Sequence, residues 1–429
     1  MVLAATREPT STASSLRIIA AASIGNALEW FDLLVYGYFA VTISRLFFPT
    51  SDQTVSLMLA FGTFGASYLV RPLGALVLGA YADKAGRKAS LTVSIFLMTI
   101  GTLLMAIVPT YASVGAVAPA AILIARLIQG FSVGGEFGGS TSFLVEHGSE
   151  RKGFFASFQW AGQGLAAVLA SLFGVGLSTM LAPDQVSAWG WRVPYFFGLL
   201  IGPIGFYIRR HADETPEFLA AKPNRTPVRE VILNQWDRIL LAIGIAIVSN
   251  SSNYLILYMP TYAVTQLSLP ASSGFIATLL GGIILTIGSP VIGHLSDAVG
   301  RTGIMLGAAA LFLVSAYPAF LLVARYASLP ILIAVVCWLS LVKTTYSGVL
   351  PSLMAEMFPT RTRSTGMALS YNISAPIFGG FAPLISTGLI ELTGNNLAPS
   401  FYLMATALVS FCVLLIVRGR ENGKSRWQT

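Results

Sequence analysis

The sequence is poor in charge, in cysteine and in histidine. Only 10% of its 429 residues are charged, against about 25% in an average soluble domain. With 55% hydrophobic residues and a mean hydropathy of +0.74, such a chain could not cover its own surface in water. The solvent for most of it is therefore lipid. The two cysteines, Cys337 and Cys412, lie in apolar runs without a CxxC or a nearby histidine. That excludes a disulfide framework or a thiolate metal site, and both are expected as small core residues. His147, His211 and His294 stand at segment ends and form no ligand cluster, so no metal is expected. Zinc-ligand spacing, a Ser/His pair, a Walker loop and a nucleotide fingerprint are likewise missing, which argues against an enzyme and against a cofactor. Asp83-Lys-Ala-Gly-Arg is not a phosphate loop, because it lacks the glycine-rich turn ending in Lys-Ser/Thr.

What is present is a series of long apolar runs. About 20 apolar residues cross a bilayer as a helix, and twelve stretches qualify, at 18–43, 55–81, 90–109, 117–145, 154–181, 192–209, 239–266, 273–296, 303–325, 329–357, 365–391 and 398–417. These are spans 1 to 12. No alternating ten-residue pattern of a barrel occurs, which leaves helices as the spanning element. Residues 1–16 are polar, and the first apolar run carries Glu29 and Asp32, so the start reads as a short cytoplasmic tail and not as a cleavable signal. One long polar connection, 211–237, divides the spans six and six. The expected organisation is an all-α membrane protein with an N-terminal six-helix bundle over 1–210, a cytoplasmic linker over 211–237 and a C-terminal six-helix bundle over 238–429. With a cytoplasmic N-terminus, 20 of the 26 lysines and arginines fall on cytoplasmic segments. Arg45, Arg192 and Arg325 are then external, and Arg71, Arg126 and Lys343 lie within spans. Both termini are therefore expected in the cytoplasm. The net charge of +8 becomes a topology signal, which removes nucleic acid as a partner.

The two halves repeat at four places, with offsets between 210 and 224 residues. Gly79-Ala-Tyr-Ala-Asp83-Lys-Ala-Gly86-Arg87-Lys88 follows span 2, and Gly293-His-Leu-Ser-Asp297-Ala-Val-Gly300-Arg301 follows span 8. Glu146 and Arg151 flank the end of span 4 as Glu356 and Arg361 flank the end of span 10. Gly153-Phe-Phe-Ala-Ser-Phe-Gln159 opens span 5 as Gly366-Met-Ala-Leu-Ser-Tyr-Asn372 opens span 11. More weakly, Asn26-Ala-Leu-Glu29-Trp30 matches Asn250-Ser-Ser-Asn253-Tyr254. Two parallel six-span halves are the architecture of major facilitator transporters.

The loop after span 2 resembles the signature loop of that superfamily. More narrowly, GNALEWFD in span 1, RPLGALVLG in span 2, RLIQGFSVGGEFGG in span 4 and DETPEF after span 6 resemble the metabolite–proton symporter family, over nearly the whole chain. That family includes carriers of citrate, 2-oxoglutarate, shikimate, and proline or betaine. IFGGFAPLISTGLIELTG in span 11 makes the chain most similar to its citrate and tricarboxylate carriers. The resemblance implies a monomeric, multi-pass protein of a bacterial inner membrane that takes up a small organic anion with protons by alternating access. The proton gradient would supply the energy. Alternatives within the resemblance are 2-oxoglutarate, another dicarboxylate or shikimate, a zwitterionic osmolyte, and exchange or export of the anion. The long C-terminal tail of some osmosensing members has no counterpart here, where about ten residues follow Arg418. A membrane receptor on the same fold is disfavoured by short tails.

Six ionisable residues fall inside spans away from the span ends: Glu29, Asp32, Arg71, Arg126, Glu136 and Lys343. A charge at mid-bilayer costs at least ~2.5–3.5 kcal/mol, so such residues face an interior. Helical spacing places Gly25, Glu29, Asp32 and Tyr36 on one face of span 1, and Arg126, Gln129, Val133 and Glu136 on one face of span 4. Two carboxylates one turn apart in a poorly solvated place cannot both ionise cheaply, which suits a proton carrier. Glu29 and Asp32, and then Glu136, are the candidates; permanent ion pairs with Arg71 or Arg126 are the alternative. Those two arginines are candidate carboxylate clamps. Lys343 has no acid in its own half and would meet an anionic substrate, or else an acid across the cavity. Tyr36, Gln129, Gln159, Gln163, Asn253, Tyr254, Tyr371 and Asn372 would supply substrate hydrogen bonds or hold helices together. Where the first half has Glu29 the second has Asn253, so titration is expected in the first half. Around the loops, Gly79, Asp83, Gly86, Arg87 and Lys88 with Gly293, Asp297 and Arg301, and Glu146, Arg151, Glu356 and Arg361, are expected to gate the cytoplasmic side without touching substrate. There a carboxylate can cap a helix N-terminus and pair with nearby bases.

Overall fold

The structure is a computed structural model that describes residues 26–422 apart from 28, 86, 135, 148–150, 212–226 and 361. The expectations placed on Gly86 and Arg361, and on the side-chain surroundings at Gly79, Asp83, Arg87, Lys88 and Glu136, lie outside the described residues. Helices stand at all twelve expected positions. Among the described residues nine are long and apolar enough to cross a membrane: Gln53–Leu78, Val117–Glu146, Lys152–Met180, Trp236–Thr265, Ala271–Val299, Arg301–Arg325, Leu329–Met357, Arg363–Thr393 and Ala398–Asn422. Span 3 contributes the shorter apolar helix Thr92–Ile107, span 6 the helix Val193–His211, and span 1 ends in Ala40–Phe47. Large apolar side chains such as Leu73, Phe96, Ile287 and Val314 are exposed on the outside of the bundle. An apolar exterior fits a lipid solvent.

Small residues let the halves approach closely. Spans 5 and 8 run antiparallel, and glycines meet at two levels eleven residues apart. A Cβ on Gly153 would lie 2.4 Å from the Gly293 carbonyl oxygen, and one on Gly164 would lie 2.9 Å from that of Gly282. Such contacts let backbones pack where a larger side chain would hold them apart. Spans 4 and 10, at matching places in the two halves, each break in mid-course: Val117–Val133 gives way to Glu136–His147, and Leu329–Ser347 to Leu350–Met357. Span 11 carries a π turn at Pro376–Gly380, where proline removes a helical N–H. Its two glycines make room for tyrosines, since a Cβ on Gly379 would meet the Tyr254 ring at 2.6 Å and one on Gly380 the Tyr68 ring at 2.6 Å.

The weak match between spans 1 and 7 has a structural counterpart. Asn26 donates to the Gln159 backbone oxygen on span 5 at 2.6 Å. Asn250 donates to the Ser374 hydroxyl on span 11 at 3.1 Å. Each asparagine thus ties the first span of its half to the fifth.

Part of the connection between the halves is helical, over Pro227–Asn234, with Val231 buried; a proline at the first helical position is well suited to start such a turn. One expectation needs correction: the cysteines are not core residues, since Cys412 is exposed and Cys337 half-buried. In a lipid-solvated chain an apolar run faces outward as readily as inward.

Candidate functional site

The intramembrane charges are buried, as the cost of exposing them to lipid requires. Glu29, Asp32, Arg71, Arg126 and Lys343 are all nearly inaccessible. They do not converge on one place but occupy three compartments.

The first lies inside the N-terminal half. Asp32 on span 1 accepts through Oδ2 from the Thr102 hydroxyl on span 3 and from Gln129 Nε2 on span 4 at 3.1 Å. Its Oδ1 has no partner. Arg126, one turn before Gln129, donates through Nη2 to the Tyr195 hydroxyl at 3.3 Å and to the Asp32 backbone oxygen at 3.5 Å. Its guanidinium carbon sits 4.1 Å from the centre of the Tyr36 ring, and its Nε and Nη1 have no hydrogen-bond partner. Tyr36 in turn stacks on Phe64 and donates to the Ala60 carbonyl at 2.9 Å. Carboxyl and guanidinium therefore share a compartment without forming an ion pair, and the guanidinium is held by the aromatic face.

The second compartment straddles the halves. The Arg71 guanidinium carbon is 3.9 Å from the centre of the Tyr68 ring and 5.9 Å from that of Trp30. Its Nε and Nη2 have no hydrogen-bond partner. Tyr254, from the C-terminal half, donates its hydroxyl to that of Tyr68 at 2.5 Å. Glu29 lies within electrostatic reach of Arg71, Tyr68 and Tyr371, whereas the charge acting on Asp32 is that of Arg126. The two span 1 acids thus lie beside different arginines, Glu29 near Arg71 and Asp32 near Arg126. Tyr371 stacks on Phe137 at 3.8 Å, and its hydroxyl has no partner.

The third compartment is a small cavity between the halves. Its lining includes Leu34 and Tyr38 of span 1, Gln163 of span 5, Asn253 of span 7 and Ser340 and Lys343 of span 10. Lys343 is the single charge in that lining. Its ammonium donates to Asn253 Oδ1 at 2.5 Å and lies 5.2 Å from the centre of the Trp160 ring. Asn253 Nδ2, both amide atoms of Gln163 and the Ser340 hydroxyl are buried without a partner. Buried polar groups are ordinarily paired, so the four unpartnered atoms near the ammonium are available to a guest molecule. Arg71 and Arg126 do not line this cavity, and the three bases do not form one clamp. Gln159 and Asn372 are also elsewhere: Gln159 is bonded to Asn26 and Ser140, and Asn372 crosses to the Gly134 carbonyl of span 4 at 2.6 Å.

Among the described residues, contacts join the two halves at both ends. At the end that the lysine and arginine count assigns to the cytoplasm, here the basic end, Asp297 reaches from the C-terminal half to the start of span 5. It accepts from the Gly153 and Phe154 N–H groups at 2.7 and 3.0 Å. These are free donors at a helix N-terminus, where negative charge is favoured. Arg301 ties Asp297 (3.0 Å), Glu356 and Ser352 together. Glu146 faces Arg363 across the halves at 3.7 Å, while Arg151 is exposed just ahead of span 5. At the opposite end Tyr38 and Phe39 pack on Phe275, Phe61 on Tyr258, and the Ser171 and Thr278 hydroxyls meet at 3.0 Å.

Sequence reasoning missed Thr102, Tyr195, Tyr68, Trp160 and Ser340. Of these Tyr68, Ser340 and Trp160 had a local signal, each being one helical turn from a candidate site residue, Arg71, Lys343 and Gln163.

Comparison with known proteins agrees with this geometry. A family profile described as "Sugar (and other) transporter" matches residues 18–237 and again 223–418. The chain is 38% identical over 405 residues to a citrate-proton symporter of Klebsiella pneumoniae, covering 93% of this chain and 91% of that protein. It is 35% identical over 423 residues to a proline/betaine transporter of Escherichia coli, covering 95% and 84%. Among solved structures, the xylose transporter XylE of E. coli in a partially occluded inward-open conformation superposes with a TM-score of 0.75. The sequence identity is 14%, and 95% of this chain and 98% of that one are covered.

Proposed function

Because the chain belongs to the sugar (and other) transporter family of the major facilitator superfamily, and is a transporter rather than an enzyme, we propose that it carries a small organic acid into the cell together with protons. It is a multi-pass protein of a bacterial inner membrane. A tricarboxylate such as citrate is the leading substrate, the proton gradient is the energy source, and no cofactor takes part.

The observation that carries this reading is the cavity around Lys343. Its one charge is positive, it has a single amide oxygen for company, and the groups beside it lack partners. An anion satisfies that arrangement, because an ammonium and a carboxylate form a strong charge-assisted hydrogen bond. A quaternary ammonium would meet a like charge instead, so relatedness to a betaine carrier is the weaker guide to the substrate.

Asp32 is the proton carrier in this scheme. An ionised Asp32 would draw the adjacent guanidinium toward it, whereas a protonated one leaves Arg126 on the Tyr36 ring, where it lies. Span 1 couples that change to the cavity. Asp32 and Tyr36 occupy one face of the helix, and Leu34 and Tyr38, on another face, line the Lys343 cavity. A shift of span 1 against Arg126 is therefore felt by substrate. Glu29 beside Arg71 is the second candidate for a proton. The two halves then rock about the cavity, with the Asp297 contact broken when the basic end opens.

Uptake of labelled citrate into proteoliposomes under imposed pH gradients tests the reading. Accumulation is expected when the outside is acid and not when the gradient is reversed, with competition by unlabelled citrate and not by betaine. Equal uptake under both gradients would remove proton symport, and competition by betaine alone would remove the organic acid.

A further inference from the structure

The cavity holds one group that a plain carboxylate leaves unanswered. Gln163 is buried, lines the cavity, and has neither its amide nitrogen nor its amide oxygen hydrogen-bonded. Whichever way the amide is turned, it presents two N–H donors and one acceptor oxygen. Around it the remaining free groups are chiefly donors: the Lys343 ammonium, the Asn253 Nδ2 and the Ser340 hydroxyl. A carboxylate only accepts, so it can satisfy those donors and the Gln163 nitrogen but cannot satisfy the Gln163 oxygen. A hydroxyl on the carbon bearing the carboxylate can, since it donates to the amide oxygen while the neighbouring carboxylate takes the ammonium.

We propose that the Lys343 cavity selects hydroxycarboxylates, with Gln163 reading the hydroxyl and Lys343 the adjacent carboxylate. This rests on the organic-acid reading given above and narrows it from carboxylates in general to those carrying a hydroxyl next to a carboxylate. Ser340, on the same span as Lys343 and three residues before it, supplies the second donor to that carboxylate. A buried acceptor left without a donor is penalised far more than a lost exposed bond, so a site built around a hydroxyl discriminates strongly against the analogue lacking it.

The test uses pairs of acids that differ only in the hydroxyl. Citrate and tricarballylate have the same three carboxylates, and malate and succinate the same two. Binding of each to the purified full-length protein, without divalent cations, is measured by competition against labelled citrate. Citrate is expected to bind at least about tenfold more tightly than tricarballylate, and malate more tightly than succinate. In Gln163→Leu the citrate advantage is expected to collapse, with a wild-type gel-filtration profile and thermal unfolding midpoint as the control that the variant is folded. Equal affinities within both pairs in the wild-type protein would overturn the hydroxyl selectivity while leaving organic-acid transport in place. Absence of binding by all four would withdraw both. If Gln163→Leu fails to fold, Gln163→Met provides the same comparison, and an undiminished citrate advantage there would remove Gln163 from the role.

Discussion

Two faces of span 1 border compartments built on opposite plans. The face with Asp32 and Tyr36 looks into the N-terminal half, onto a compartment that contains both signs of charge and is closed by Thr102, Gln129, Arg126 and Tyr195. The face with Leu34 and Tyr38 looks onto a compartment with one sign of charge, shared between the halves, where Asn253, Gln163 and Ser340 have groups unsatisfied. The first draws both its acid and its base from the protein. The second has one base and no acid in its lining. One helix joining such compartments is what a coupled carrier needs.

The comparison can be broken at the lysine with the largest effect. Lys343→Met removes the only charge in the cavity lining, and loss of a hydrogen bond to a charged group is worth about 1.5–3 kcal/mol. Apparent affinity for citrate should therefore fall by about 10–150-fold, read from the concentration dependence of uptake and of counterflow alike. Unchanged affinity would take Lys343 out of the site. Next in size is Gly153→Val. Its side chain must enter the space of the Gly293 carbonyl, so the basic end should no longer close. Transport should drop severalfold or more, while Ser157→Cys, introduced where Cys337 and Cys412 have been replaced, reacts faster with a membrane-impermeant thiol reagent applied from that end. The smallest effect is expected from Asp297→Asn, which keeps hydrogen-bond acceptance but removes the charge at the start of span 5. A charge at a helix terminus is worth about 0.3–2 kcal/mol, so the same thiol should react faster by about two- to thirtyfold, with substrate affinity from the opposite side nearly unchanged.

Much of this organisation was legible in the sequence because the bilayer is a severe solvent. Twelve apolar stretches had to be helices, and the buried charges had to face inward, whatever the neighbours. The isolation of Lys343 was also readable, since its half offers no acid deep within a span, but its bond to Asn253 was not, because the expected partner was an anion. The grouping of acids with bases was not readable. Glu29 and Asp32 share a helical face by spacing, yet the rotation of one turn is enough to send one toward Arg71 and the other toward Arg126 and Thr102. Neutral groups such as Thr102 and Tyr195 carry no signal in a span, where threonine and aromatic residues are ordinary. Asp297 was readable as a capping carboxylate, but the helix it caps begins in the other half, 143 residues away for Phe154. Such a contact is set by the packing of spans 5 and 8 and not by local spacing.

The division of labour along span 1 is tested most directly in proteoliposomes with Asp32→Asn, by measuring citrate counterflow and gradient-driven accumulation side by side. Asparagine keeps an oxygen for Thr102 and Gln129 but cannot carry a proton, and it lies away from the Lys343 cavity. Counterflow should persist near the wild-type rate while accumulation driven by an acid exterior is lost. Accumulation that survives the substitution would place the coupled proton elsewhere, and loss of both activities would show that Asp32 and the substrate site are not separate.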